Sequence, residues 1–277
     1  MTIFINQTYA ADRYLVATGN WNSTSVWSTE PTGGTGASVP GTGDVAFIQR
    51  GFTVTVRENA TVGSVNFSTY NTGNLGTLTI NENITLTVNG ATTLYNASAA
   101  VNASINGFGT LTTSELNIGN YVNPGTNGTY THTLEVLNAT INISGNLNIR
   151  SEYNTSRFGT ARRSNGVLNI VGGTVTVNGS VITNNENDVN TATLTLGNSS
   201  PTLILNGATP FSLSGGTNNI NLNGTGATVV YGRAGNQTVR QTTYTNLTLA
   251  GGGTKTTTGT TVNGILSMEG TATASAA

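Results

Sequence analysis

The sequence predicts an all-β protein, a right-handed parallel β-helix (β-solenoid) closed at one end by an N-terminal cap. Three observations carry this reading: period-two alternation from Phe52 to Met268, Asn-Gly pairs spaced along it, and no helical period of useful length. In TVTV from Thr53, TLTI from Thr77, ITLTVNG from Ile84 and VTVNG from Val175, aliphatic residues alternate with Thr or Asn. That is the pattern of strands that bury one face and leave the other to water. Asn-Gly pairs at Asn89, Asn106, Asn178, Asn206, Asn223 and Asn263 mark the bends, because both residue types tolerate the backbone angles of tight turns.

Residues 1–50 read as an N-terminal strand and cap. They begin with the alternating TIFINQTY, hold both tryptophans, Trp21 and Trp27, and pass through a Gly-rich loop to VAFI from Val45. A solenoid must cover its first coil, since an open end exposes apolar core and unpaired strand edges. Trp21 and Trp27 are therefore expected to plug that end, with a sugar-stacking pair as the functional alternative.

Residues 51–277 read as the solenoid itself. TLTI from Thr77 leads to ITLTVNG and TTLYN; TLEV from Thr133 leads to INISGN and LNIR; VLNI from Val167 and TLTL from Thr193 open further units of the same form. Three short strands per unit suit a three-sided coil. With about 20 to 25 residues per coil and about 4.8 Å per rung, nine or ten coils make a rod roughly 45 Å long. A βαβ fold would need helical crossovers that the chain lacks. A pair of antiparallel sandwiches is the competing all-β solution, and the grouping in threes favours the solenoid.

Two insertions interrupt the ladder, near 120–132 and 150–166. The first holds the single histidine, His132, beside Tyr121 and Tyr130; without acidic or further His partners in sequence it reads as a loop residue, not a metal ligand. The second carries Arg150, Arg157, Arg162 and Arg163 with Tyr153 and Phe158. Guanidinium groups suit carboxylates, phosphates and aromatic faces, so this segment is a candidate contact for a subunit or a glycan, against the plain reading of a solvated hairpin.

Composition removes other roles. Charged residues make up 8% of the chain and the net charge is -1, so there is no basic face for nucleic acid. No apolar run approaches the roughly 20 residues that span a bilayer, and membrane insertion is not expected. There is no cysteine. The three aspartates, Asp12, Asp44 and Asp188, are far apart and the glutamates dispersed, whereas glycoside cleavage needs paired carboxylates. No enzyme activity, metal or cofactor is expected. Asn-x-Ser/Thr triplets occur at Asn6, Asn59, Asn83, Asn138, Asn142, Asn178 and Asn246, among others; they are candidate glycosylation sites, although the abundance of Asn, Ser and Thr explains most of them. Thr-x-Thr pairs at Thr53, Thr77, Thr85, Thr174 and Thr193 would form flat threonine arrays like those of ice-binding solenoids if stacked in register, but Thr is also simply a good outward strand residue.

The stretch from Ala227 resembles a recurrent module of secreted bacterial surface proteins, on Tyr231, Gln237, Thr238, Val239, Tyr244, Asn246, Leu247, Gly253, Lys255, Val262, Asn263 and Leu266. WNSTSVWS and VPGTGDVAFI likewise resemble the opening of autotransporter-like and adhesin-like β-helix proteins. The resemblance implies an exported, cell-surface or extracellular β-solenoid and brings no catalytic residues with it. The expected role is structural or adhesive: head-to-tail self-association through terminal strands into a filament or surface layer, with itself or neighbouring surface proteins as partners. A carbohydrate-binding module using the Arg-rich segment is the alternative.

Overall fold

The computed structural model describes residues 10–67, 76–94, 100–119, 128–151, 153–155, 161–185 and 191–276. Apart from one 3-10 turn at Thr24–Val26, the regular structure in these residues is β-strand. Nearly every strand pairs in parallel with the strand one coil before and one coil after, which makes the protein a parallel β-helix.

The coil has three faces. Face 1 stacks Ala60–Val62, residues 85–88 and 110–113, Thr140–Ile143, Thr174–Val177, Thr202–Leu205, Thr228–Tyr231, Asn246–Leu249 and Leu266–Met268. Face 2 stacks Asp12–Leu15, Val45–Ile48, Ser64–Phe67, residues 92–94 and 116–118, Leu147–Ser151, Val181–Asn185 and Phe211–Ser214. Face 3 runs from Gly19–Asn20 and Thr53–Val56 through Thr77–Ile80, Val101–Gly107, Gly128–Leu137, Ala161–Ile170 and Thr191–Leu196 to Thr217–Asn221. The ladder thus takes in strands of the N-terminal segment from Asp12 onward.

Register explains the alternation. On face 1, Leu86, Leu111, Ile141, Val175, Leu203, Val229 and Leu247 stand above one another and are all buried. Each contributes about 1.5 to 3 kcal/mol on burial. On face 3 the same holds for Val54, Leu78, Ile105, Val136, Ile170 and Leu196.

Coil length is less uniform than the repeat suggests. Thr140 pairs with Thr174 but Thr228 with Asn246, a fall from 34 residues to 18. The extra residues of the long coils fall between face 2 and face 3, and part of them lengthens the face 3 strands, which reach ten residues at Gly128–Leu137 and Ala161–Ile170. The Asn89-Gly90 corner does not interrupt its strand either: Thr85–Leu94 and Thr110–Ile118 bend through it, with a register shift between Thr113 and Glu115.

Asparagine serves the stack directly. The amide oxygens of Asn59, Asn146, Asn165, Asn198, Asn236 and Asn246 accept from the backbone N–H of Thr85, Ser180, Thr191, Thr225, Thr254 and Ile265, one coil on, at 2.8–3.1 Å. A side chain thereby satisfies a backbone donor where the ladder is interrupted by a bend. Glycine fills the corner between faces 1 and 2: Gly179 donates to Gly145 O at 2.8 Å, and a Cβ on Gly207 would lie 1.9 Å from Gly179 O.

Replacing Asn146 with Ala should cost about 1 kcal/mol in urea unfolding, because Ser180 N–H loses its partner. Asn146→Asp, which keeps the acceptor, should recover most of that loss; equal losses for both would remove the hydrogen bond as the cause.

Candidate functional site

The head of the rod is closed. Trp27–Ser28 runs antiparallel along the outer edge of Asp12–Leu15, with Trp27 opposite Leu15. Trp21 and Trp27 are fully buried with their rings edge to face, centroids 5.1 Å apart, and Trp27 Nε1 donates to Trp21 O at 2.7 Å. Neither ring presents a face to a ligand. Asp44 ties the adjoining loop by accepting from Ala11 N and Gly41 N at 3.0 and 2.8 Å.

The Arg-rich insertion is a hairpin in its backbone. Tyr153–Thr155 pairs antiparallel with the start of Ala161–Ile170, placing Tyr153 opposite Arg163 and Asn154 opposite Arg162. Arg162 and Arg163 also pair with Gly128 and Thr129, so the hairpin prolongs face 3. Arg150 stands on face 2 opposite Asn184 and is half-buried, whereas Arg157 and Phe158 lie outside the described residues.

His132 corrects its reading as a loop residue. It lies inside Gly128–Leu137, in register with Val101 and Gly166, and is buried, with Nδ1 3.0 Å from Ser164 Oγ. Ser164 in turn donates to Gly119 O. Among the described residues no three His, Cys, Asp or Glu side chains gather as a metal site.

Of the triplet asparagines, Asn6 lies outside the described residues. Asn59, Asn83, Asn138 and Asn178 are exposed, and Asn83 and Asn138 hold positive φ of 63° and 66°. Asn142 and Asn246 are half-buried on face 1. Asn178 accepts from Asn206 Nδ2 at 2.8 Å.

The threonines do stack. Thr85, Thr110, Thr140, Thr174, Thr202 and Thr228 occupy one outward column of face 1. Thr87, Thr112, Asn142 and Thr176 form the neighbouring column, which passes to Ile204 and Val230 toward the tail.

The densest polar network lies where the coil shortens. Face 2 ends at Phe211–Ser214 and face 3 at Thr217–Asn221; beyond them the coil is completed by two new ladders, one of Gln237–Thr238, Thr254–Thr257 and Thr273–Ala276, the other of Thr243–Tyr244 and Thr261–Val262. Face 1 alone runs through. Side chains splice the gap. Gln237 Nε2 donates to Leu205 O and Gly207 O, both at 2.9 Å, taking the place of a backbone rung. Its Oε1 accepts from Arg233 N and from Lys255 Nζ at 2.8 Å. Lys255, the chain's one lysine, is buried and donates also to Arg233 O and Gly235 O. Burial, and then the charge of Arg233, hold its pKa below the usual lysine value.

Beside this splice, the hydroxyls of Tyr231 and Tyr244 meet at 2.9 Å. Tyr231 accepts from Arg240 N and Tyr244 donates to Arg240 O. Burial pushes the Tyr231 phenol up to about 12 and raises that of Tyr244 further. Sequence had marked Gln237, Tyr231, Tyr244 and Lys255 as part of a recurrent pattern; their common network is visible only in three dimensions.

The tail is open. Ile265, Leu266 and Met268 are 68%, 57% and 46% exposed, and Leu266–Met268 has a partner strand on one side only among the described residues. Comparison with family models, curated proteins and solved structures found no match.

Of the nine tyrosines, Tyr231 and Tyr244 should stay protonated while the fold persists. Below about pH 10 both folded and unfolded chains hold these protons; above it the unfolded chain releases them and the folded one does not, so the pair's contribution to stability is lost as pH rises. Tyrosinate absorbance should therefore show two phenols that ionise only with loss of the β-sheet circular dichroism signal. All nine titrating near the ordinary value in a folded chain would contradict the buried pair.

Proposed function

We propose that the protein is a structural or adhesive β-solenoid of the cell exterior that assembles end to end, its open last rung accepting an edge strand from the next copy. One observation supports this above the rest: the two ends differ. The head is sealed by an antiparallel strand and two buried tryptophans, while the tail presents Ile265, Leu266 and Met268 beside unpaired strand edge. An exposed edge with adjoining apolar side chains is the geometry of β-strand addition.

The occupant argued for is the alternating N-terminal TIFINQTY of a second copy; residues 1–9 lie outside the described residues. Because the outer edge of Asp12–Leu15 is already covered, the contact is an added strand and not a stacking of first rung on last. Exterior placement rests on the poverty of charge, the single lysine and the resemblance of the C-terminal module to surface proteins. Carbohydrate binding by the Arg-rich hairpin has less support, since the backbone of the hairpin is taken up in prolonging face 3.

The double substitution Leu266→Asp and Met268→Asp should leave the thermal melt nearly unchanged while abolishing rods longer than one protomer in electron micrographs. Deleting residues 1–9 should do the same. Undiminished assembly in either variant sinks the proposal, and symmetric tail-to-tail dimers that survive the deletion overturn its head-to-tail form.

The in-register threonines favour a second reading. Among the described residues, the six hydroxyls of the main column have no protein hydrogen-bond partner, and they repeat at the rung spacing of about 4.8 Å, a lattice able to order water at an ice surface. If so, the protein slows ice recrystallisation and the Thr140→Lys, Thr174→Lys variant does not; wild-type protein behaving like buffer rules it out.

A further inference from the structure

The break between face 2 and the ladder that begins at Gln237–Thr238 leaves a cavity of about 530 Å³, within the range of small-molecule sites. Its walls follow from the fold. Leu147, Val181 and Phe211 form an inward column of face 2. With no strand among the described residues hydrogen-bonded beneath Phe211–Ser214, the Phe211 ring is only half-buried and becomes a wall, with Pro210 and Val239 beside it. Thr238, Gln241 and Thr258 supply polar groups on the other side.

Arg240 supplies the single charge of the lining. Its guanidinium lies over the Phe211 ring, 5.6 Å from the centroid. Its Nε is buried without a hydrogen-bond partner, and among the described residues no acceptor meets the other guanidinium nitrogens either. A buried N–H with no partner is uncommon enough to need a reason. The backbone of Arg240 is fixed from both sides by Tyr231 and Tyr244 and its guanidinium rests over Phe211, and none of these contacts uses the donors of the fork.

We propose that this cavity is a binding site for a carboxylate-bearing sugar, a uronic acid unit of an acidic polysaccharide. The carboxylate takes the guanidinium fork, the C–H face of the sugar ring packs on the apolar wall of Pro210, Val239 and the part of Phe211 that Arg240 leaves uncovered, and the sugar hydroxyls meet Thr238, Thr258 and Gln241. One cation matches one carboxylate. A bare phosphate dianion would leave charge unmatched and make no use of the aromatic wall. The site is separate from both ends of the rod and from the Arg-rich hairpin, and does not depend on end-to-end assembly.

The test is calorimetric titration of the whole chain with a galacturonate trimer, a neutral galactose trimer and inorganic phosphate. The galacturonate trimer should bind, with the neutral trimer and phosphate each at least about tenfold weaker. Arg240→Gln should lose at least that factor while its melt stays close to wild type, and Arg240→Lys should recover only part, because lysine lacks the planar fork. Phe211→Leu, which keeps an apolar residue in the column, should weaken the galacturonate trimer and leave the residual affinity for phosphate unchanged. Failure of the galacturonate trimer to bind, or equal binding by Arg240→Gln, overturns the assignment. Phosphate binding as tightly as galacturonate overturns it in favour of a general anion site.

Discussion

The in-register parallel stacking of face 1 is the constraint on which the rest of the molecule depends. Each inward position is refilled, coil after coil, by an aliphatic side chain of similar size, so Leu86, Leu111, Ile141, Val175, Leu203, Val229 and Leu247 make one column. A slip of one residue would turn that column outward and bring Thr85, Thr110 and Thr140 into the core. The register therefore protects itself, and it tolerates wide variation in what is inserted between strands. The corner where face 2 meets face 3 absorbs the extra residues of long coils, and asparagine side chains bond across bends where backbone pairing stops.

Because face 1 alone passes the point where the coil shortens, cohesion there falls to side chains. Gln237 stands in for a missing rung, Lys255 gathers three oxygens, and the tyrosine pair brackets Arg240. A buried polar network of this kind stabilises only when its members are satisfied. Nearly all are; the guanidinium of Arg240 is the exception, and it faces the cavity that the same break creates. The discontinuity that interrupts the ladder is also what opens the cavity beside Arg240.

Much of this was legible in the chain. Period-two alternation gave the inward and outward sides, and the three-strand grouping gave the coil. Other features depend on which coil lies under which. His132 read as a loop residue because it falls in an insertion without acidic or further His partners in sequence; its place is set by pairing with Val101 and Gly166, far off in sequence. The six-threonine column could not be counted while coil length was unknown, since successive members are separated by 25 residues between Thr85 and Thr110 but 34 between Thr140 and Thr174. Phe211 lies on face 2 and Arg240 in the bend between Gln237–Thr238 and Thr243–Tyr244, and the end of face 2 at Phe211–Ser214 lets ring and guanidinium meet. Local pattern fixes which way a side chain points; the long-range partner is decided by the lengths of the intervening corners.

In the proposed assembly the two ends of the ladder carry the functional consequence. A covered first rung and an apolar, edge-exposed last described rung give the stack a polarity that its sides lack. Hydrogen exchange across a concentration series reads that polarity directly. In dilute protein the amides of Leu266–Met268 should exchange fast, face 1 from Thr85 to Leu249 slowly, and raising the concentration should slow the last rung while peptides spanning Trp21 to Ser28 stay unchanged. Exchange of the last rung that is independent of concentration would contradict end-to-end assembly through it.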